Sequence, residues 1–177
     1  MEYAGFWRRI GAHFLDLIIF SPLFFLYIWG NSHFRLFDVY MFVPEIFISI
    51  FYNIYLVKRY GATPGKLLLK IKIAKLDGSS VGYQEAVLRQ SVVFILSIIS
   101  SIALLTASLN LNMTDDQYFA LHWMERSNKL IENASSWYKY VQIVMGIWVW
   151  GEFLVILTNK KRRAIHDFMA GTVIIKK

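Results

Sequence analysis

The sequence predicts an all-α membrane protein built on a bundle of four transmembrane helices. Of its 177 residues, 56% are hydrophobic and 17% are aromatic. Together with a positive mean hydropathy, this composition is more apolar than that of a typical soluble domain. Four apolar runs are also long enough to cross a hydrocarbon core of roughly 30 Å, which takes about 20 helical residues. These runs are residues 10–29, 39–57, 86–107 and 140–158.

The distribution of basic residues predicts the orientation of these spans. Most of the 19 lysines and arginines precede the first run or fall in the loop 58–85 and the tail 159–177. Because basic residues favour cytoplasmic segments, we expect both termini and the loop 58–85 inside the cell and the loop 108–139 outside. The four spans then form one multi-pass domain over residues 1–177. The net charge of +7 fits topology signals and contacts with anionic lipid headgroups, so nucleic acid is not an expected partner.

The outer loop 108–139 has a helical pattern of its own. Thr114 and Gln117 fit a capping box at the start of a helix. Apolar and small residues between Ala120 and Ala134 then recur on one helical face. We therefore expect an amphipathic helix that lies on the outer membrane surface or packs on the bundle.

The inner loop 58–85 predicts a short strand rather than a nucleotide site. Its GATPGK stretch, residues 61–66, is one residue shorter than a phosphate-binding loop and lacks the hydroxyl that coordinates magnesium. Apolar residues then alternate with lysine around residues 70–74, and Asp77-Gly78 supplies a turn. The tail around residues 172–175 is also rich in β-branched residues. We expect these two segments to form a small cytoplasmic β-hairpin or sheet.

Each predicted span contains at least one ionisable residue, although a charge at the centre of a span costs roughly 2.5–3.5 kcal/mol. Those of the first span share one helical face, because residues three, four and seven apart lie together. Packing the polar faces of the four spans against one another would hide them from lipid. The residues concerned are Arg9, His13 and Asp16 in the first span, Glu45 in the second, Arg89 in the third and Glu152 in the fourth.

These intramembrane charges allow two interpretations. They form either a structural salt-bridge network that fixes helix packing, or a pathway for a proton or a small cation. In the second case Asp16 and Glu152 would be the exchanging carboxylates, because burial raises the pKa of a carboxylate that no cation compensates. Glu45 would then be an outer station of the pathway, and His13 would relay protons.

Asp16 needs a partner under either interpretation. We expect this partner to be an arginine on the cytoplasmic side, since a guanidinium holds a carboxylate with two hydrogen bonds at poorly hydrated sites. Arg9, Arg89 and Arg162 are the candidates, in that order.

His166 and Asp167 follow a run of four basic residues just after the fourth span. In one interpretation this pair turns back to the first span, where Asp167 meets Arg9 or Arg8 and closes a cytoplasmic gate. In the other, Asp167 caps backbone donors or neutralises the neighbouring arginines. A metal site formed with His13 and Asp16 would have acceptable ligand types but would need two separate segments to meet, so no metal or cofactor is predicted.

Several of these residues recur in an order that resembles the RDD family of bacterial membrane proteins. That family is named for one arginine and two aspartates, which correspond by resemblance to Arg9, Asp16 and Asp167. The similarity covers nearly the whole chain, and least of all the outer loop. The matching residues are Arg9, Ala12 and Asp16, then Gly61, Thr63, Gly65 and Lys66, then Asp77, Gly78 and Arg89, and finally Arg162, His166, Asp167, Ala170, Gly171 and Thr172.

The resemblance implies a bacterial inner-membrane protein with a role in transport, with sodium/proton exchange among the activities suggested for the family. Four spans are few for a complete carrier, so a transporter of this size is expected to work as a homo-oligomer or as a subunit. The competing function is a membrane interaction or lipid-binding subunit whose buried charges are structural. An enzyme is not predicted, because no catalytic arrangement of side chains has a suitable spacing and the chain has no cysteine.

Overall fold

The computed structural model describes residues 2–177 and is mostly helical. Four of its helices are long and apolar enough to cross a membrane, as the sequence predicts. Its elements in chain order are α1 (Phe6–His33), α2 (Phe37–Ile50), a π-helical segment (Phe51–Tyr55), α3 (Leu56–Tyr60), α4 (Pro64–Leu68), β1 (Ile71–Lys75), α5 (Tyr83–Asn110), α6 (Asp115–Ala120), α7 (Trp123–Asn133), α8 (Trp137–Thr158), α9 (Ile165–Met169) and β2 (Thr172–Lys176).

The spanning helices begin earlier than the apolar runs of the sequence. Helix α1 begins at Phe6, so Arg9 lies within its first turn rather than before it. Helix α5 begins at Tyr83, because the Glu85 carboxylate accepts a hydrogen bond of 2.7 Å from the N–H of Gly82 and caps the helix. Polar first turns of this kind continue a helix beyond its apolar part.

The second span ends in a reversal that returns the chain to α1. It runs through α2, the π-helical segment and α3, and ends at Gly61, whose φ of 72° lies in the left-handed region that glycine adopts readily. Pro64 then opens the short helix α4 in its first turn, where its missing N–H costs nothing. Helix α4 packs against α1. Residues 61–68 therefore cover one side of the first span.

The predicted sheet is confirmed. Strands β1 and β2 pair antiparallel, with Ile73 opposite Ile174. The sequence did not indicate that the N-terminus extends this sheet, where Tyr3 bridges Ile175 and the N–H of Ala4 donates to the carbonyl of Ile174 over 2.9 Å. The apolar face of the sheet packs against the adjoining ends of α1, α3 and α5, where it contacts Ala12, Val57 and Ala86. We call this end of the bundle the sheet end.

The predicted outer helix is wrong in one respect: it is two helices. Its capping box is present, since the N–H of Gln117 donates to the Thr114 hydroxyl over 3.3 Å. Helix α6 stops at Ala120, however, and α7 restarts with a second cap in which the Glu125 carboxylate accepts from the N–H of His122 over 3.0 Å. Arg126 satisfies a freed carbonyl at the break, that of Leu121 over 2.9 Å. Side-chain caps therefore interrupt a pattern that looked continuous.

Candidate functional site

A buried charge cluster lies at the sheet end, centred on the fully buried Asp167. Arg9 of α1 donates from Nη1 to Oδ2 of Asp167 over 3.0 Å. Arg89 of α5 donates to Oδ1, as does the hydroxyl of Thr172 over 3.1 Å. The N–H of Ala164 donates to Oδ2 over 3.0 Å and caps α9. Asp167 thus joins two spanning helices to the tail.

This geometry contains one contact from each interpretation of Asp167 made from the sequence, and the gate stays a prediction. Its contact with Arg9 is present, and it also caps a backbone donor. Burial alone would raise the pKa of Asp167, but the charges of Arg89 and Arg9 hold that pKa below its usual range. Arg162, a predicted partner or gate residue, is exposed and lies outside this cluster.

Asp16 is buried in a second and different set of contacts, and the predicted arginine partner is wrong. Its Oδ1 accepts from the Tyr52 hydroxyl over 2.5 Å and from the N–H of Gly65 over 2.6 Å. Its Oδ2 accepts from the hydroxyl of Thr63 over 2.7 Å. All three donors are uncharged. They come from the π-helical segment and from the reversal after Gly61.

The reversal explains why no arginine reaches Asp16. Seven residues of helix place Asp16 about 10 Å along α1 from Arg9, and the 61–68 segment covers α1 at that level. The approach is so close that a Cβ on Gly65 would lie 2.2 Å from the carbonyl oxygen of Ala12 and 2.6 Å from Oδ1 of Asp16. The GATPGK stretch, which resembles a phosphate loop, therefore serves to hold Asp16.

A cavity of about 370 Å³ lies beside the two clusters, between α1, α5 and α8. Its apolar wall includes Val93, Val149 and Phe153. Its polar lining gathers most of the ionisable residues predicted from the spans and the tail, together with one lysine that was not among the predicted site residues. The ionisable residues of the lining are Arg9, His13, Lys66, Arg89, Glu152 and His166.

Glu152 and His166 are in contact inside this cavity. Oε1 of Glu152 accepts from the backbone N–H of His166 over 3.0 Å, and Oε2 lies 2.9 Å from Nδ1 of the imidazole. Nη2 of Arg89 lies 2.9 Å from the other ring nitrogen, Nε2. Because a guanidinium only donates, Nε2 accepts and the ring proton sits on Nδ1, facing Glu152. Burial and the charge of Arg89 lower the pKa of His166, which favours this neutral form.

Glu45 does not join the other predicted residues. Its side chain is exposed on α2 and is absent from the cavity lining, so the expectation that packing hides it from lipid is wrong. Glu45 lies seven residues, or about 10 Å of helix, from Tyr52. Tyr52 is buried against Asp16, at the level where residues 61–68 cover α1, whereas Glu45 lies beyond that level.

Sequence reasoning did not place Tyr52, Thr63, Gly65 or Lys66 in the site, although the last three were noted as family-motif residues. Three of them belong to the GATPGK stretch, whose two glycines and hydroxyl were signals of a close backbone approach. Tyr52 carried no comparable signal, because an aromatic residue in a span usually packs on apolar neighbours. Within residues 2–177, no three histidine, aspartate or glutamate side chains assemble as metal ligands.

Four apolar helices, a buried arginine–aspartate cluster and a small sheet at the chain ends define a helical membrane-type protein with charges buried inside its bundle. The RDD family model matches residues 3–171. The chain therefore belongs to the RDD family, and the resemblance of its motifs is confirmed. No curated protein and no solved structure matches the chain.

Proposed function

We propose that this chain takes part in proton-coupled transport, as a transporter or a transporter subunit, and that the coupling proton binds at Glu152 and His166. The observation that carries the proposal is the contact of these two residues within the cavity. Of the three carboxylates considered from the sequence, Glu152 lines this cavity, whereas Asp16 and Glu45 do not. The pathway predicted from sequence is thereby reduced to one carboxylate.

A proton suits this site better than a metal cation. Arg9, Lys66 and Arg89 face the same cavity, and their positive charges repel a metal ion at short range. A proton instead moves along hydrogen bonds between groups that exchange it. His13 also lines the cavity and offers a second imidazole.

The alternative function, a membrane interaction subunit without transport, is favoured by the state of Asp16 and Asp167. Both carboxylates are buried, and both oxygens of each accept hydrogen bonds from groups of the same chain. They therefore suit a structural role. The two functions differ in what they require of Glu152, which has to exchange a proton in one and not in the other.

Proton flux in proteoliposomes tests the proposal. We expect wild-type protein to move protons down an imposed gradient, and Glu152→Gln to fold but to lose this flux. Glu132→Gln is the matched control, because Glu132 is exposed on α7. Wild-type protein that moves no proton under any gradient would exclude transport by the chain alone. Loss of flux together with a large loss of thermal stability in Glu152→Gln would favour the structural function.

We also propose that the sheet end faces the cytoplasm of a bacterial cell with the α6–α7 side outside, as the basic residues predict. The chain has no cysteine, so single cysteines at Asn31 and Asn128 report sidedness without background labelling. Labelling of intact cells at both positions is expected. Labelling only after permeabilisation would show that the protein has the opposite orientation.

A further inference from the structure

Two buried cations beside the cavity have hydrogen-bond donors without acceptors. Nη2 of Arg9 is buried and has no partner, although Nη1 of the same side chain is paired with Asp167. Lys66 is 6% exposed, and its ammonium makes one long hydrogen bond, 3.3 Å, to the Thr63 hydroxyl. Buried donors in native proteins normally have partners. Both side chains line the cavity, so an acceptor placed there lies next to both cations.

The carboxylates nearby do not supply this acceptor. Both oxygens of Asp167 and both oxygens of Asp16 already accept hydrogen bonds from other groups. Oε1 of Glu152 accepts from the N–H of His166. Its Oε2 is buried without a hydrogen bond, but it lies against the His166 ring and makes no ion pair with Arg9 or Lys66. An acceptor for these two cations therefore has to come from outside the chain, as an anion or water.

The remainder of the cavity is apolar and continues to the surface of α8. Val149 and Phe153 line the cavity and are nevertheless 54% and 40% exposed. Phe6 of α1 packs on Phe153 with ring centroids 4.8 Å apart, so α1 and α8 meet there at the sheet end. The cavity wall thus runs from buried cations to a helix face that a bilayer would cover.

We propose that this cavity binds an anionic amphiphile of the phospholipid class, with its phosphate held by Lys66 and Arg9 and its apolar chains along α8. Lysine is a common point-charge ligand of phosphate, and arginine adds directed donors. A cavity of about 370 Å³ falls in the size range of small-molecule sites. Inorganic phosphate has the same acceptor chemistry but leaves the apolar wall empty, so the lipid is the expected occupant.

This site differs from the surface contacts with lipid headgroups that the basic loops suggest, because its cations are buried within the bundle. It also does not rest on the proposed proton coupling. A chain that moves no protons could still hold a lipid here.

Native mass spectrometry of the full chain in detergent tests the site. The protein is equilibrated with dioleoylphosphatidic acid, with dioleoylphosphatidylcholine or with inorganic phosphate. We expect retention of phosphatidic acid over phosphatidylcholine, and a roughly tenfold weaker retention in Lys66→Met, as for the loss of one charge-assisted hydrogen bond. Lys70→Met is the matched control, because Lys70 is exposed in the same loop.

Two further variants keep the test decisive if Lys66→Met folds poorly. Lys66→Arg retains the charge and is expected to retain phosphatidic acid. Val93→Phe narrows the apolar wall without changing any charge and is expected to release it. Equal retention in wild type, Lys66→Met and Val93→Phe would overturn the site. Phosphate retention that depends on Lys66, without any preference for phosphatidic acid, would overturn the amphiphile and leave a soluble anion.

Glu152→Gln separates this inference from the proposed function. We expect that variant to retain phosphatidic acid while losing proton flux. Loss of lipid retention in Glu152→Gln that equals the loss in Lys66→Met would contradict the assignment of the headgroup to Lys66 and Arg9.

Discussion

The two buried aspartates of this chain are held in opposite ways. Asp167 meets two guanidinium groups, from Arg9 and Arg89. Asp16 meets two hydroxyls and one backbone N–H, with no charged partner. The first set joins residues 158 positions apart in sequence, whereas the second fastens a loop to the helix beside it.

This difference shows that a buried carboxylate can be stabilised by opposite charge or by several neutral donors. The charged set compensates two cations as well as one anion, so removing its centre leaves two guanidinium groups without a counter-charge. The neutral set leaves two hydroxyls and one N–H behind, next to the buried Lys66, which bonds Thr63 and loses the nearby charge of Asp16. We therefore expect the two aspartates to respond differently to the same substitution.

Asp167→Asn should cause the largest loss in the free energy of unfolding. It leaves Arg9 and Arg89 buried beside a neutral amide, and breaking a buried ion pair in this way costs about 3–5 kcal/mol. Thermal unfolding in detergent measures the loss. Asp115→Asn is the control, because Asp115 also faces an arginine but is 73% exposed, and such a pair contributes at most about 1 kcal/mol. Equal losses of stability in the two variants would contradict the buried charge cluster around Asp167.

Gly65→Ala should cause the second-largest loss in the free energy of unfolding. The added Cβ would lie 2.2 Å from the Ala12 carbonyl oxygen, so the reversal has to move away from α1 at a cost of about 3 kcal/mol, the upper part of the range for overpacking. Gly146→Ala is the control, because nothing lies within 4 Å of a Cβ at that position. An unfolding temperature of Gly65→Ala equal to that of the control would contradict the close approach.

Asp16→Asn should cost less, about 2 kcal/mol, because the amide turns one donor toward groups that themselves donate. No buried cation loses its direct partner. The free energy of unfolding of Asp16→Asn should therefore lie between those of wild type and Asp167→Asn. A loss as large as that of Asp167→Asn would indicate a charged partner that the structure does not contain.

The smallest expected effect is a pH dependence due to His166. Burial and Arg89 lower its pKa, while Glu152 and Asp167 act in the opposite direction. The unfolded chain therefore binds a proton at a higher pH than the folded chain, and stability falls as the pH drops below about 6.5. His166→Gln should reduce this slope in unfolding measurements between pH 7.5 and 5. His122→Gln, at an exposed histidine, should retain it.

Local periodicity explains which parts of the structure were predictable. The spans, the β1–β2 pair and the Thr114 cap each depend on residues close in sequence or on a repeating apolar pattern. The contact of Asp167 with Arg9 was predictable, because basic residues at both ends of the chain predict that these ends lie on the same side of a membrane. The partners of Asp16 could not be predicted, because no pattern in the sequence shows that residues 61–68 fold back on α1.

Depth within the bundle limited the prediction in the second span. A regular helix puts Glu45 and Tyr52, which are seven residues apart, on the same face. Tyr52 is nevertheless buried and Glu45 exposed. Periodicity shows which face a residue is on, but it does not show how far along the helix its neighbours extend.

A pair of double-mutant cycles tests most directly that Asp167, and not Asp16, is the partner of Arg9. The free energy of unfolding is measured for Arg9→Met, Asp167→Asn, Asp16→Asn and the two doubles that contain Arg9→Met. Residues in one ion pair couple by about 0.5–3 kcal/mol, whereas residues without a shared contact add within about 0.5 kcal/mol. We expect coupling of the first kind between Arg9 and Asp167 and additivity between Arg9 and Asp16. Strong coupling of Arg9 to Asp16 with additivity to Asp167 would contradict the structure.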